Sequence, residues 1–471
     1  MEKNFDVIIV GAGSAGLAAL REVRKRTDNF LLINDGPYGT TCARVGCMPS
    51  KALIEAANAF ARRKDFPAFG ISGGESLTVD IPAVLRRVRS LRDKFVGGVL
   101  KATEDLGERN LAGRARLLDA QTVEVDGRRC HGKRIVLAPG SRPVVPEAWR
   151  AFGDRILTTD NLFEQADLPG RMAVIGLGAI GVEMAQALAR LGITVSAFDK
   201  SPQLAGLSDE EVNETLVKLL KKEFAIHTGA EAELRQVGDG IEVSSGSGRV
   251  VVDQVLVAMG RRPNVDNLGL ETLGIPLDKR GQPQVNPTTL QVADLPIFLA
   301  GDANGHAALL HEAADEGHIA GLNAVAETIH CFKRRTALAV VFSDPEVAVV
   351  GKRRQELDPE AVVSGKVSFV RHGRARTAEK NKGVMHIYAD KENGRLLGAE
   401  MCVPAAEHMV HLLALAIEQG LKVGDLLRMP FYHPVYEEGL RSALRELAGQ
   451  LPCAGESDLA SCGAYNVEAL D

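Results

Sequence analysis

Two cysteines separated by four residues, Cys42 and Cys47, stand in Gly39-Thr40-Thr41-Cys42-Ala43-Arg44-Val45-Gly46-Cys47-Met48-Pro49-Ser50-Lys51. That spacing suits a bridge across the first turn of a helix. The N–H groups at a helix start carry partial positive charge and stabilise a thiolate. The pair lies just downstream of a glycine-rich stretch, Gly11-Ala12-Gly13-Ser14-Ala15-Gly16. A thiol pair behind a nucleotide turn points to electron transfer through a disulfide. The competing reading is two unbridged core cysteines, since cysteine is often buried. The Gly-rich entry, the Pro49-Ser50-Lys51 exit and the upstream turn weigh against it.

The elements that must position this pair are readable. Phe5 to Val10 reads as a buried parallel strand, followed by the glycine turn, a helix to about Arg26 and a second strand around Phe30 to Ile33. Gly11, Gly13 and Gly16 let the backbone turn tightly and let a pyrophosphate approach the helix start. The second strand of such a unit delivers a ribose ligand; here Asn34 and Asp35 are the alternatives. The pattern recurs: Met172 to Ile175, then Gly176-Leu177-Gly178-Ala179-Ile180-Gly181, a helix from Val182, and a strand ending on Asp199. Two dinucleotide sites are therefore expected. A flavin exchanges electrons with both a dithiol and a nicotinamide. The economical assignment is FAD at Gly11, Gly13 and Gly16, and NAD at Gly176, Gly178 and Gly181. Asp199 favours NAD over NADP, because a carboxylate accepts from a ribose 2′-hydroxyl and repels a 2′-phosphate.

Composition agrees with a soluble multidomain chain. At 471 residues, with 45% hydrophobic and 25% charged residues, it has material for several cores. A net charge of −5 with no basic tract gives no support for nucleic-acid binding. No apolar run reaches membrane-spanning length. The polar start, Met1 to Asp6, resembles neither a signal nor a transit peptide, so a cytoplasmic location is expected. Seven cysteines form too sparse and odd a set for a disulfide scaffold. No metal site is expected: His408 and His411 share a helix face but lack further ligands.

With these motifs in hand, the chain resembles the flavin-dependent pyridine nucleotide–disulfide oxidoreductases, and within them the dihydrolipoamide dehydrogenases, over residues 4 to 450. Their redox signature, Gly-Gly-Thr-Cys, four residues, Cys, an apolar residue, Pro-Ser-Lys, is kept except that Thr40 replaces the second Gly. Ala138-Pro139-Gly140 and Gly260-Arg261-Arg262-Pro263 resemble the crossover and return connections, and Ala300-Gly301-Asp302 the second FAD motif. His433-Pro434-Val435-Tyr436-Glu437-Glu438 resembles the C-terminal signature, with Val435 in place of Thr. The resemblance implies that His433 is the general base and Glu438 orients it. It implies that Lys51 approaches the flavin and pairs with Glu183, and that Thr41, Gly140, Gly260, Gly301 and Asp302 serve cofactor binding. It also implies a homodimer in which His433 reaches the disulfide of the other subunit. Elementary chemistry agrees: dithiol oxidation needs a base titrating near neutrality.

The expected fold is α/β: two Rossmann-like dinucleotide-binding domains, for FAD and NAD, plus a C-terminal α+β dimerisation domain. The expected boundaries are residues 1–145 and 266–335 for the FAD domain, 146–265 for the NAD domain, 336–450 for the interface domain and 451–471 for a tail. The expected activity is oxidation of dihydrolipoyl groups, carried by a lipoyl protein or domain, with reduction of NAD⁺. The alternative is an NAD(P)H-dependent reductase of another disulfide or a metal ion; a binding module is a third. Cys453 and Cys462, eight residues apart in the tail, match a second thiol relay poorly.

Overall fold

The computed structural model describes residues 3–246, 248–452 and 458–459. The chain divides into two compact units, the first of residues 1–56, 80–169 and 253–334, the second of 57–79, 170–252 and 335–471. Each holds one glycine turn.

In the first unit Val7, Ile8, Ile9 and Val10 are all buried. A strand without polar alternation must be covered on both faces, and a parallel sheet does that. Strand Lys3–Val10 pairs in parallel with Phe30–Asn34 on one side and Arg128–Leu137 on the other. Ile297–Leu299 returns to pair with Arg128–Leu137, so the residues that follow it, Gly301 and Asp302, end at the same sheet edge as the first turn. Helix Leu310–Val325 packs so tightly on Ser14–Val23 that a Cβ on Gly317 would fall 2.1 Å from the Ala15 carbonyl oxygen. Strands Ser141–Pro143 and Arg261–Pro263 pair antiparallel within this unit.

In the second unit Arg171–Ile175, Thr194–Asp199 and Ala225–Thr228 form a parallel set. Beyond it, Leu338–Val341, Glu346–Gly351, Leu396–Val403, Val384–Asp390 and Val362–Ser368 form an antiparallel sheet in that order. Helix Glu438–Ala448 buries Leu440, Ala443, Leu444 and Leu447, one stripe at helical spacing, in the core that also holds Met385 and Ile387. That packing fixes where the helix starts, and so where Glu438 stands. Among the described residues no helix is long and apolar enough to cross a membrane.

Candidate active site

The two glycine turns are built alike. Gly11 has φ +104°, and a Cβ there would lie 2.1 Å from the Ala138 carbonyl oxygen, so only glycine fits. Gly13 and Gly178 each sit at a helix start, and a Cβ on either would meet nothing within 4 Å. That open space in front of helix N–H groups fits a pyrophosphate. Asn34 Oδ1 accepts from Ala12 N at 2.9 Å, and Asn34 Nδ2 donates to the Gly36 carbonyl at 3.0 Å. In the second turn Asp199 occupies the matching place. Its Oδ2 accepts from Leu177 N and its Oδ1 from Ser201 N at 2.8 Å. Both strand-end residues therefore hold the turn itself, a role the sequence reading missed. Asp35 is exposed, 3.8 Å from Arg114. Gly181 is buried within its helix and Gly176 has φ +95°.

The remaining first-unit positions meet at the connections. Asn264 N donates to the Gly140 carbonyl and Val144 N to the Gly260 carbonyl. Ser141 Oγ donates to Asp302 Oδ2 at 2.5 Å, and Arg261 Nε donates to Ser141 Oγ at 2.7 Å. Gly301 N donates to Oε2 of Glu316, which is 1% exposed and whose Oε1 takes Arg334 Nη1 at 2.9 Å. Glu316 thus fixes the residue before Asp302. The readable signal was an acid on the helix face that also carries Ala313, Ile319 and Ala320.

The cysteines differ from the expected single helical turn. Cys42 lies in Thr41–Val45, and Cys47 opens a separate helix, Cys47–Ala61, with Gly46 breaking the two at φ −120°, ψ −117°. Ser50 N bonds the Gly46 carbonyl, so the second helix starts at that break and Cys47 lies in its first turn. Both residues are in the thiol form and hydrogen-bond each other. That bond and burial push the Cys42 thiol well above its ordinary range, while the charge of Lys51 acts the other way. Thr40 has φ +59° and ψ +151°, a conformation reserved almost wholly for glycine, and its side chain caps Ala43 N at 3.2 Å. Strain there costs about 1–3 kcal/mol, whereas exchanging a hydroxyl cap for glycine costs a few tenths. Thr40→Gly is expected to raise unfolding stability by about 1 kcal/mol, read from denaturant titration. A loss of stability would show that the cap outweighs the strain.

In the second unit His433 Nδ1 lies 2.9 Å from Glu438 Oε1, and Val435 N donates to Glu438 Oε2. The bond to His433 holds the Glu438 carboxyl below its usual range. With Nδ1–H directed at a carboxylate, Nε2 is the proton acceptor. The His433 side chain is 78% exposed. Glu183 is buried, and its Oε1 accepts from Phe342 N at 3.0 Å. The structure thus brings Cys42, Cys47 and Lys51 together in one unit and His433 with Glu438 in the other, where Glu183 and Asp199 flank the second turn. Cys453 and Cys462 lie outside the described residues.

Two thiols behind one dinucleotide turn, a second such turn and a carboxylate-held histidine define a class. Residues 5–317 match the pyridine nucleotide-disulphide oxidoreductase family and residues 337–444 its dimerisation domain, so the chain belongs to that family. Its cofactors are FAD and NAD(H), and the dimerisation domain supports a homodimer. More particularly, the chain is 32% identical over 445 residues to dihydrolipoyl dehydrogenase of Geobacillus stearothermophilus, covering 92% of this chain and 94% of that one. It is 30% identical to the mitochondrial dihydrolipoyl dehydrogenase of Homo sapiens, over 93% and 89% of the two chains. Among solved structures it is similar to LpdA from Mycobacterium tuberculosis, with a TM-score of 0.81 and 24% identity, covering 94% of this chain and 99% of that one. It is also similar to a Cu(II) complex of the HOCl-induced flavoprotein disulfide reductase RclA from Escherichia coli, with a TM-score of 0.81 and 22% identity over 94% and 99%.

Proposed function

We propose that this protein oxidises dihydrolipoyl groups and reduces NAD⁺. The observation that carries the reading is the bond between His433 Nδ1 and Glu438, which leaves Nε2 to take a thiol proton. In the oxidised enzyme Cys42 and Cys47 form a disulfide. One substrate thiol gives its proton to His433 of the partner subunit, and its sulfur attacks Cys42. A substrate–Cys42 disulfide forms, the Cys42–Cys47 bond breaks, and Cys47 leaves as thiolate. The second substrate thiol then displaces Cys42; the substrate ends as a disulfide and the enzyme as a dithiol. FAD held at the turn of Gly11, Gly13 and Gly16 would supply the two-electron relay between the dithiol and NAD⁺. The open faces of Gly13 and Gly178 are the places for the two pyrophosphates. Lys51 places a cation one helical turn beyond Cys47. Asn34 or Asp35, with Thr41, Gly140 and Asp302, completes the FAD contacts.

The second reading is NAD(P)H-driven reduction of another disulfide or of a metal ion. Identities near 30% to the dihydrolipoyl dehydrogenases leave it open, and RclA shares the fold. Steady-state turnover of dihydrolipoamide with NAD⁺, set beside NAD(P)H-driven reduction of a disulfide panel and of Cu(II), separates the two. Turnover only in the reductive direction, on another substrate, would displace the first reading.

Asp199 supplies a further test. Its carboxylate favours a ribose 2′-hydroxyl over a 2′-phosphate, and it also holds Leu177 N. Asp199→Ala is expected to raise KM for both nucleotides and to lower the NAD⁺/NADP⁺ ratio of kcat/KM by about 10- to 100-fold, the worth of a hydrogen bond to a charged group. An unchanged ratio would limit Asp199 to holding the turn.

A further inference from the structure

The turn that carries His433 and Glu438 rests on a column of rings that the proposed reaction leaves unused. Phe369 is fully buried and stacks on His372, with centroids 4.8 Å apart and planes 10° apart. His372 in turn faces Tyr436 at 6.2 Å and 24°, and the Arg374 guanidinium lies over Tyr436 at 5.4 Å. The Cζ edge of the Phe369 ring meets Gly439, where an added Cβ would lie 2.4 Å from Cζ. Tyr436 and Gly439 straddle Glu438. The column therefore grips the chain on both sides of the carboxylate that orients the base.

His372 has a second task. Its Nδ1 accepts from Ala375 N at 3.3 Å, which caps the short helix Gly373–Thr377. An accepting Nδ1 carries no proton, so the neutral ring holds its N–H at Nε2, and that atom is buried without a hydrogen-bond partner. Protonation would remove the cap acceptor and place a charge among rings. Burial lowers the pKa of His372, opposed by the charges of Glu438 and Glu437. Among the described residues, the charges that act on it are those of these two carboxylates, from the turn packed against it, and the titratable ring stacked on it is Tyr436, over which Arg374 lies.

We propose that His372 is a positioning residue that must be neutral for the His433–Glu438 pair to work. This rests on the reading of His433 as the base. When His372 takes a proton, the cap on Ala375 is lost, the imidazolium draws on Glu438, and the column no longer holds the turn. Activity then requires two neutral histidines, one acting and one holding.

The test uses the FAD-loaded full-length enzyme. The logarithm of kcat/KM for dihydrolipoamide, plotted against pH, is expected to approach an acid slope of 2 in the wild type and of 1 in His372→Asn. Asparagine caps a helix without titrating. The wild-type Ala375 amide is expected to lose hydrogen-exchange protection, corrected for intrinsic rates, as pH falls through the His372 titration; in His372→Asn its protection stays constant. Should the asparagine variant not fold, His372→Ser offers the same cap. Equal acid slopes in wild type and variant would overturn the positioning role, as would Ala375 protection in the wild type that is constant with pH. The amide readout does not pass through His433. A fully active His433→Gln would thus sink the base assignment while the Ala375 result still decides on His372.

Discussion

Serine at either Cys42 or Cys47 is expected to reduce dihydrolipoamide oxidation to background, and the two variants are expected to differ in their spectra. Both sulfurs are needed, because the exchange sequence breaks and reforms their bond. The roles differ, because in the proposed sequence Cys42 is the sulfur that substrate attacks and Cys47 the one that leaves as thiolate. Cys47 is then the thiolate, and Lys51 stands one turn beyond it. Cys42→Ser should leave that thiolate beside the flavin and show long-wavelength charge-transfer absorption. Cys47→Ser should show none. Absorption that survives in Cys47→Ser would reverse the two roles.

His433→Gln is expected to lower kcat for dihydrolipoamide by about 10²–10⁴-fold, the range for a lost general base. FAD content should stay at wild-type level, because His433 lies in the turn before helix Glu438–Ala448 and not on a glycine turn. Glu438→Gln should cost less, since the imidazole remains but loses the carboxylate that fixes its tautomer. Stopped-flow reduction by dihydrolipoamide, which isolates the first half-reaction, measures both. A His433→Gln enzyme that is reduced at the wild-type rate would remove the base from the scheme.

Much of this site was legible in the chain. The two glycine turns were readable because their demands fall on the backbone: Gly11 meets the Ala138 carbonyl, and Gly13 and Gly178 leave space for a ligand. Cys42, Cys47, His433 and Glu438 were readable because their chemistry and short spacing travel together. What was not legible depends on contacts between distant segments. Asn34 and Asp199 hold backbone N–H groups 22 residues upstream, so a ribose ligand and a turn brace look the same in one dimension. The break at Gly46 is a backbone event with no side chain to announce it, and it moved the cysteine pair from one helical turn to two abutting helices. Glu316 holds Gly301 from 15 residues downstream, and its neighbour Gly317 lets its helix close on Ala15; neither contact has a local signal. The role of His372 depends on Tyr436, 64 residues further on, lying against its ring.

The central claim is that one subunit's thiol pair works with the base of the other. Mixed dimers made from His433→Gln and Cys42→Ser chains test it most directly. In a shared arrangement one site of each mixed dimer combines the intact Cys42 of one chain with the intact His433 of the other, and the second site carries both lesions. Verified mixed dimers should then recover about half of the wild-type dihydrolipoamide–NAD⁺ turnover per dimer, from parents that are each nearly inactive. Mixed dimers no more active than their parents would contradict the account and place the thiols and the base within one chain.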